Sequence, residues 1–168
     1  MNRLNFLEKI GSLFGITIIS TVVLESCNSN ELNEEVLTED EIFYNDLKNK
    51  TFKNGKYLDG RILYLDVTHD NFSSLNTVGE FINDFDNYIL ILRKSEDVFQ
   101  TFSNCCPHLG TFNQWSYSNG RFRCSNHGNS YGTGTQNIVR CGSRSTSGNL
   151  KQYTTTQNQD ILIIDFDS

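Results

Sequence analysis

Two short cysteine–histidine pairs constrain the possible fold and chemistry of this chain more than any other feature of its sequence. The first is CPH at 106–108, and the second, CSNH at 124–127, follows after fifteen intervening residues. Thiolate and imidazole groups at such close spacing are ligands for zinc, copper or iron. A zinc finger of the Cys2His2 type keeps its two cysteines in one pair and its two histidines in the other, whereas each pair here is mixed. The pattern predicts a metal centre held between two loops, each supplying one thiolate and one imidazole.

The order C-x-H followed by C-x-x-H resembles that of the Rieske-type [2Fe–2S] domain, in which the two cysteines bind one iron and the two histidines bind the other. The resemblance covers roughly residues 60–166 and is strongest at 104–134, through "CPHLG" and "CSNHGNSYGTGT". It implies a [2Fe–2S] cluster as the cofactor. A mononuclear zinc site and a loop closed by a disulfide are the alternatives. The implied cluster ligands are Cys106, His108, Cys124 and His127.

Residues near the implied ligands depart from the respiratory members of the family. Tyr131 stands where high-potential members carry a tyrosine that hydrogen-bonds to sulfur, but Asn129 replaces their serine. Thr111 and Asn126 stand where respiratory members carry two cysteines, so the disulfide of those proteins is missing. Fewer hydrogen-bond donors stabilise the reduced cluster less. We therefore predict a midpoint potential below that of the high-potential respiratory class.

Two glycines and two further cysteines also belong to the expected site. Gly110 and Gly128 follow the two ligand pairs, where a glycine allows a close backbone approach or a positive φ. In the family a Gly-Pro loop folds over the cluster near position 142, where this chain has Gly-Ser. That position leaves two interpretations open for Cys105 and Cys141, of which one is that they approach each other and form a disulfide in an exported protein. Two separate buried thiols are the alternative.

The rest of the chain predicts short strands. Alternating apolar residues indicate a strand at 61–68, and 87–103 and 149–166 are typical of hairpins. A turn followed by a short strand is predicted at 119–125, and a helix only at 36–50. The chain lacks alanine and is rich in glycine, asparagine, serine and threonine, which favours turns and strands. The expected fold class is all-β, and the resemblance implies a Rieske-type antiparallel β-sandwich with a small cluster-binding subdomain at one end.

The N-terminal segment resembles an export signal. An apolar run of 15 residues at 10–24 would span only about 22 Å as a helix, which is short for a bilayer core of roughly 30 Å. A cleaved secretory signal is therefore expected, with an uncleaved membrane anchor as the alternative. The run precedes a lipobox-like "LESC", so lipidation of Cys27 is expected, with an ordinary cysteine near a cleavage site as the alternative. The expected location is exported and membrane-tethered, on the periplasmic or extracytoplasmic side. The expected organisation is a signal peptide at 1–26, an acidic tether at 27–45 and a Rieske domain at 46–168 with cluster-binding loops at about 103–145.

The net charge and the sequence motifs argue against some classes of function and favour others. The net charge of −6 and the pI near 5.0 argue against a nucleic-acid partner, which usually needs a basic surface. The resemblance implies a one-electron carrier that serves a protein redox partner: a periplasmic oxidoreductase, a quinol-oxidising complex or an oxidase similar to arsenite oxidase. An electron-transfer protein or oxidoreductase subunit is favoured over a stand-alone enzyme. The alternatives are a non-redox lipoprotein module that holds zinc or nothing, and a soluble ferredoxin.

Other residues near the ligand pairs have two interpretations. Trp115 and Tyr117 are expected to pack beneath the cluster rather than to bind a substrate. Arginines cluster in sequence around the site, either as a basic collar for an acidic redox partner or as solvated strand faces. These arginines are Arg121, Arg123, Arg140 and Arg144.

Overall fold

A computed structural model describes residues 37–167. This part of the chain contains one α-helix, one 3-10 helix and ten strands. The helices are α1 (Glu39–Lys48) and the 3-10 helix Asp70–Asn76. The strands are β1 (Lys56–Asp59), β2 (Ile62–Asp66), β3 (Phe81–Asp84), β4 (Ile89–Ser95), β5 (Val98–Ser103), β6 (Trp115–Ser118), β7 (Arg121–Cys124), β8 (Ser130–Gly132), β9 (Gln152–Asn158) and β10 (Ile161–Asp165).

The strands form two antiparallel sheets. Seven strands make the larger sheet in the order β1-β2-β10-β9-β5-β4-β3, and β6, β7 and β8 make a smaller sheet. The smaller sheet is inserted between β5 and β9, which pair with each other through Thr101 and Tyr153. The two predicted hairpins are β4–β5 and β9–β10. The predicted all-β class, with an antiparallel sheet and a smaller subdomain, is confirmed.

Strand β4 separates two hydrophobic cores. Because side chains alternate along a strand, Ile89 and Ile91 face one core while Leu90 and Leu92 face the other. All four are fully buried. The first core consists of Leu63, Leu65, Phe72, Leu75, Ile89, Ile91, Phe99, Leu162 and Ile164. The second core lies toward the smaller sheet and consists of Leu90, Leu92, Phe102, Cys106, Trp115, Phe122, Cys124, Tyr131 and Leu150. The two ligand-pair cysteines are thus core residues.

Helix α1 begins inside the segment that the sequence assigns to an acidic tether. Thr38 caps it, since its hydroxyl accepts from the Glu41 N–H while the Glu41 carboxylate accepts from the Thr38 N–H. This reciprocal capping box satisfies two otherwise unpaired N–H groups. At the other end Leu47 is buried, and the Lys48 ammonium lies 2.9 Å from the Asp160 carboxylate. Residues 39–45, which the expected tether includes, therefore lie in a helix within the range predicted for one, 36–50.

The N-terminal predictions lie outside the described residues. They are the signal peptide at 1–26, the lipidated Cys27 and the part of the tether before residue 37. Between residues 37 and 167, no helix is long and apolar enough to cross a membrane.

Candidate metal centre

The two cysteine–histidine pairs lie in loops of the same backbone design. In loop A (residues 106–111), the Cys106 N–H donates to the Thr111 carbonyl at 2.9 Å, and the Gly110 N–H donates to the Cys106 carbonyl at 2.8 Å. Loop B (residues 124–129) repeats both hydrogen bonds at the same sequence offsets, at 2.9 and 3.0 Å. Each loop is therefore a closed ring that begins at its cysteine.

A glycine closes each loop. Gly110 and Gly128 have φ of +72° and +74°, in the left-handed region that glycine adopts without a steric penalty. The sheets hold both loops in place: loop A follows β5, and loop B connects β7 to β8. Of the two roles expected of these glycines, a close backbone approach or a positive φ, the structure shows the positive φ at both.

The structure brings the predicted ligands together as two pairs, imidazole beside imidazole and thiol beside thiol. The rings of His108 and His127 lie with their centroids 4.9 Å apart and their planes at 90°. Cys106 and Cys124 are both buried with free thiols, and their sulfur atoms are close enough to interact. His127 is exposed, whereas His108 is half-buried. The thiols thus lie on the inner side and one imidazole reaches the surface.

One unsatisfied nitrogen and one thiol with a raised pKa indicate that this site fits a metal cluster. The Nδ1 atom of His108 is buried and has no hydrogen-bond partner among residues 37–167. Such a nitrogen is costly to bury unless something binds it. Burial, followed by the neighbouring Cys106 thiol, raises the pKa of the Cys124 thiol, although backbone N–H groups of loop B oppose the shift. Metal ligation would satisfy the nitrogen and stabilise the thiolates.

The donor geometry also bears on the number of metal ions. Over residues 37–167, no group of three His, Cys, Asp or Glu side chains converges on one metal position. A structural zinc site uses four such ligands and a catalytic one uses three. A Rieske cluster takes only two protein ligands on each of its two irons. Two thiols on one side and two imidazoles on the other match that division.

Comparison with known families shows to which family the chain belongs. Residues 44–154 match the model of the Rieske [2Fe–2S] domain. The chain belongs to this family. Rieske domains bind a [2Fe–2S] cluster and act in iron–sulfur electron transfer. Among curated proteins, none matches the chain significantly. The family match begins in helix α1, before the segment at 60–166 on which the sequence resemblance rests.

Tyr131 lies against the cysteines of this Rieske domain. The side chain is fully buried, and its hydroxyl donates to the Ser145 carbonyl at 2.8 Å. Burial and then the adjacent Cys106 raise the pKa of Tyr131 to about 12, so the phenol stays protonated at neutral pH. Because a phenol has one proton, the proton that Tyr131 donates to Ser145 is not also donated to a neighbouring sulfur. Asn129 helps to close loop B, because its backbone carbonyl accepts a hydrogen bond from the Cys124 N–H.

Asn113 is a site residue that the sequence does not reveal. Its amide nitrogen lies 3.4 Å from the Cys124 sulfur and also donates to the Thr111 side chain. The backbone carbonyl of Asn113 accepts from the side chain of Asn83 on β3, at 2.9 Å. No motif marks this residue, since it lies in the linker between the two ligand loops and meets Cys124 only through the fold.

A buried polar network supports the position of Asn113. The Asn104 side chain is fully buried and donates to the Asn83 side chain. It also accepts from the Trp115 indole N–H at 2.6 Å. Trp115 belongs to the second core together with both ligand-pair cysteines, and Tyr117 packs against that core. These amides join the larger sheet to the segment that carries the metal centre.

A third loop covers loop A. This loop C (residues 140–145) is linked to the residue before loop A by a disulfide between Cys105 and Cys141. The Gly142 N–H donates to the Cys106 carbonyl at 3.3 Å, and the Arg144 N–H donates to the His108 carbonyl at 3.1 Å. A Cβ atom on Gly142 would lie 3.4 Å from the Cα of the facing glycine of loop A. The glycines therefore permit a close approach of the two backbones.

Proposed function

We propose that this Rieske domain transfers single electrons through a [2Fe–2S] cluster for a protein partner, as an electron-transfer protein or oxidoreductase subunit. The observation that carries the proposal is that the two imidazoles lie beside each other, as do the two buried thiols, and that the buried His108 Nδ1 has no hydrogen-bond partner among residues 37–167. The proposed ligands of one iron are Cys106 and Cys124, and those of the other are His108 and His127.

The ligand set determines the chemistry. Two neutral imidazoles in place of two thiolates give a Rieske cluster a potential in the range of roughly −150 to +300 mV, above that of all-cysteine ferredoxins. The buried thiols and Tyr131 keep water from the inner side of the site. The exposed His127 provides the route to the surface, and a partner that contacts this ring comes within a short distance of the cluster.

The proposed location is the outer side of a membrane, with the domain attached through Cys27 or an uncleaved anchor. The lipobox-like "LESC" and the apolar run at 10–24 support export. The disulfide between Cys105 and Cys141 is of the kind that persists in oxidising compartments. Its more exposed half, Cys141, would meet cellular reductants in the cytoplasm.

Low-temperature EPR of the purified full-length protein tests the proposed ligation. We expect the oxidised protein to be silent and the dithionite-reduced protein to give an anisotropic signal with an average g below the free-electron value. His108→Ala and His127→Ala should each abolish this signal, since each removes an iron ligand. His69→Ala is the matched control, because that histidine caps the 3-10 helix through its bond from the Asn71 N–H.

The contrary result would identify another use of the four residues. A colourless, folded protein that contains zinc and gives no signal after expression in cells able to assemble clusters would exclude electron transfer. It would instead support the zinc-binding lipoprotein module.

A further inference from the structure

Acidic and basic residues are unevenly distributed along the sequence of this chain and over its fold. Residues 98–159 contain five basic residues and no acidic one, although the chain as a whole carries −6. All twenty acidic residues lie outside this segment. The segment includes the smaller sheet and loops A, B and C. The part of the molecule that carries the metal centre is therefore positive, whereas the remainder is strongly negative.

Four of the five basic residues are exposed arginines around the ligand loops. The Arg123 guanidinium donates to the Gly128 carbonyl at 3.1 Å, which fixes it beside His127. The backbone of Arg144 is held next to loop A, since its backbone N–H donates to the backbone carbonyl of His108 at 3.1 Å. The ion pairs found among residues 37–167 involve only basic residues outside 98–159. These arginines thus keep their charge free for an external partner. The four are Arg121, Arg123, Arg140 and Arg144.

Apolar surface lies within this basic surround. Leu109, which follows His108 directly, is 51% exposed, and Ile138 is 42% exposed. A depression of about 370 Å³ beside loop B is lined by Arg123 and His127 together with Trp115. Exposed aliphatic residues among arginines are typical of protein docking surfaces, where arginine is enriched and carboxylates are depleted.

We propose that the surface formed by His127, Leu109, Arg123, Arg140 and Arg144 docks an acidic electron-transfer protein. The proposal rests on the proposed function, since it names the partner of the same site. Charge complementarity selects an acidic occupant over a basic one, since residues 98–159 carry five basic residues and no acidic one. At physiological ionic strength the Debye length is about 8 Å. A docking partner therefore senses the local arginines and not the distant acidic residues.

The reduced holoprotein is allowed to react with two small oxidants, one anionic and one cationic. The salt dependence of the two rate constants shows whether the local charge near the cluster or the net charge of the protein governs the reaction. The two probes are ferricyanide, an anion, and tris(phenanthroline)cobalt(III), a cation, followed by stopped-flow absorbance across a series of salt concentrations. We expect the rate constant with ferricyanide to fall as salt rises, and that with the cobalt complex to rise. Added polyglutamate should slow the ferricyanide reaction, whereas polylysine should not. In both reactions one electron leaves the reduced cluster and reduces the metal of the probe.

Two double variants identify the residues responsible. Arg140→Gln combined with Arg144→Asn removes two charges near loop A, and asparagine suits the φ of +63° at residue 144. We expect this variant to react with ferricyanide about three- to tenfold more slowly at low salt. Lys53→Gln combined with Lys94→Gln is the matched control, since both lysines are exposed and lie outside the basic segment. The control should react at least as fast as the arginine variant at every salt concentration and keep the full salt dependence.

Two results would overturn the docking surface while leaving the proposed function intact. The first is a ferricyanide rate that rises with salt, as the net charge alone would dictate. The second is equal behaviour of the two double variants. The EPR signal of each reduced sample is recorded first, because its absence would overturn the proposed function instead. In that case, binding of polyglutamate to the cluster-free protein at low salt still decides whether the surface attracts an acidic chain.

Discussion

At the scale of single residues, the sulfur of Cys124 has a hydrogen-bond donor that partly offsets the loss of the family's serine. The Asn113 amide lies 3.4 Å from that sulfur, whereas residue 129, an asparagine, contributes its backbone carbonyl to the closure of loop B. Donors to a sulfur ligand favour the reduced cluster, which carries one more negative charge. A midpoint potential below that of the high-potential respiratory class stays a prediction, and we expect Asn113 to limit how far below it lies.

Asn113→Ala should therefore lower the midpoint potential. A net hydrogen-bond contribution of about 0.5–1.5 kcal/mol corresponds to a shift of roughly 20–60 mV for one electron. Protein-film voltammetry or an EPR-monitored redox titration measures the shift. Asn126→Ala is the matched control, since that asparagine lies in loop B with an exposed side chain. Equal potentials for both variants and the wild type would show that the Asn113 amide does not act on the cluster.

The capping box of helix α1 gives a second residue-scale prediction. Hydrogen bonds from the Thr38 N–H and then its hydroxyl lower the pKa of Glu41 from its ordinary value of 4.5. A carboxyl whose pKa is lower in the folded state stabilises the fold above the unfolded pKa. That contribution is lost as the pH falls through the folded pKa. The start of the helix should therefore loosen below about pH 4.5.

A Thr38→Ala variant tests this capping box. NMR titration should show the pKa of Glu41 rising toward 4.5, and the free energy of unfolding should fall by about 1 kcal/mol. Thr135→Ala, at an exposed position in a loop, is expected to change neither quantity. An unchanged Glu41 titration in the Thr38 variant would refute the capping contact in solution.

At the scale of structural elements, the disulfide is the covalent link between loop C and loop A. It closes a segment of 36 residues that contains both ligand loops. Cross-linking a segment of that length lowers the entropy of the unfolded chain, which corresponds to about 3–4 kcal/mol of stability. A paired replacement, Cys105→Ser with Cys141→Ser, should reduce the free energy of unfolding of the cluster-free protein by up to that amount in urea denaturation.

Thiol counting checks the same element by an independent method. Alkylation of the unfolded protein without reductant, followed by mass spectrometry, should leave Cys105 and Cys141 unmodified and label Cys106 and Cys124. Addition of reductant before alkylation should label all four. Label on Cys105 and Cys141 in the unreduced sample would contradict the disulfide.

The sequence predicts the regular elements well and the contacts between loops poorly. Strands β2, β4, β5, β7, β9 and β10 follow from apolar alternation and turn residues, because both signals are local. Strands β1 and β3 are short and lie at the edges of the larger sheet, where few buried positions repeat. The two ligand pairs could be predicted from the spacing of cysteine and histidine in the sequence alone. The approach of Asn113 to Cys124 was not, since it depends on the packing of β3 against the linker between loops.

Helix α1 lies within the range predicted for a helix, 36–50, but the expected tether at 27–45 overlaps its first residues. Glu39, Asp40 and Glu41 suggest a solvated segment by their charge, yet all three lie in the first turn of the helix. Negative charges at this end interact favourably with the helix dipole. The apolar anchor, Leu47, comes only at the end of the helix, so an apolar pattern does not mark where the helix starts.

At the scale of the whole molecule, the two cores differ in their dependence on the metal centre. The first core contains no proposed ligand, and strands β2 and β10 supply four of its residues. The second core includes Cys106 and Cys124 themselves, next to aromatic side chains of the smaller sheet. Metal binding couples to folding wherever the ligands are part of the packed structure. Stability from the cluster is therefore expected to concentrate in the second core.

Hydrogen–deuterium exchange of the holoprotein and the cluster-free protein tests this division. We expect cluster removal to increase exchange at least tenfold in β6, β7 and β8, because opening of a local unit sets its exchange rate. Strands β2 and β10 should keep their protection, since the first core remains intact. Strand β4 belongs to both cores through Ile91 and Leu92, so its amides should show an intermediate change. A uniform rise in exchange across both sheets would mean that the cores unfold as one unit, and that the cluster stabilises the whole domain rather than the end that holds it.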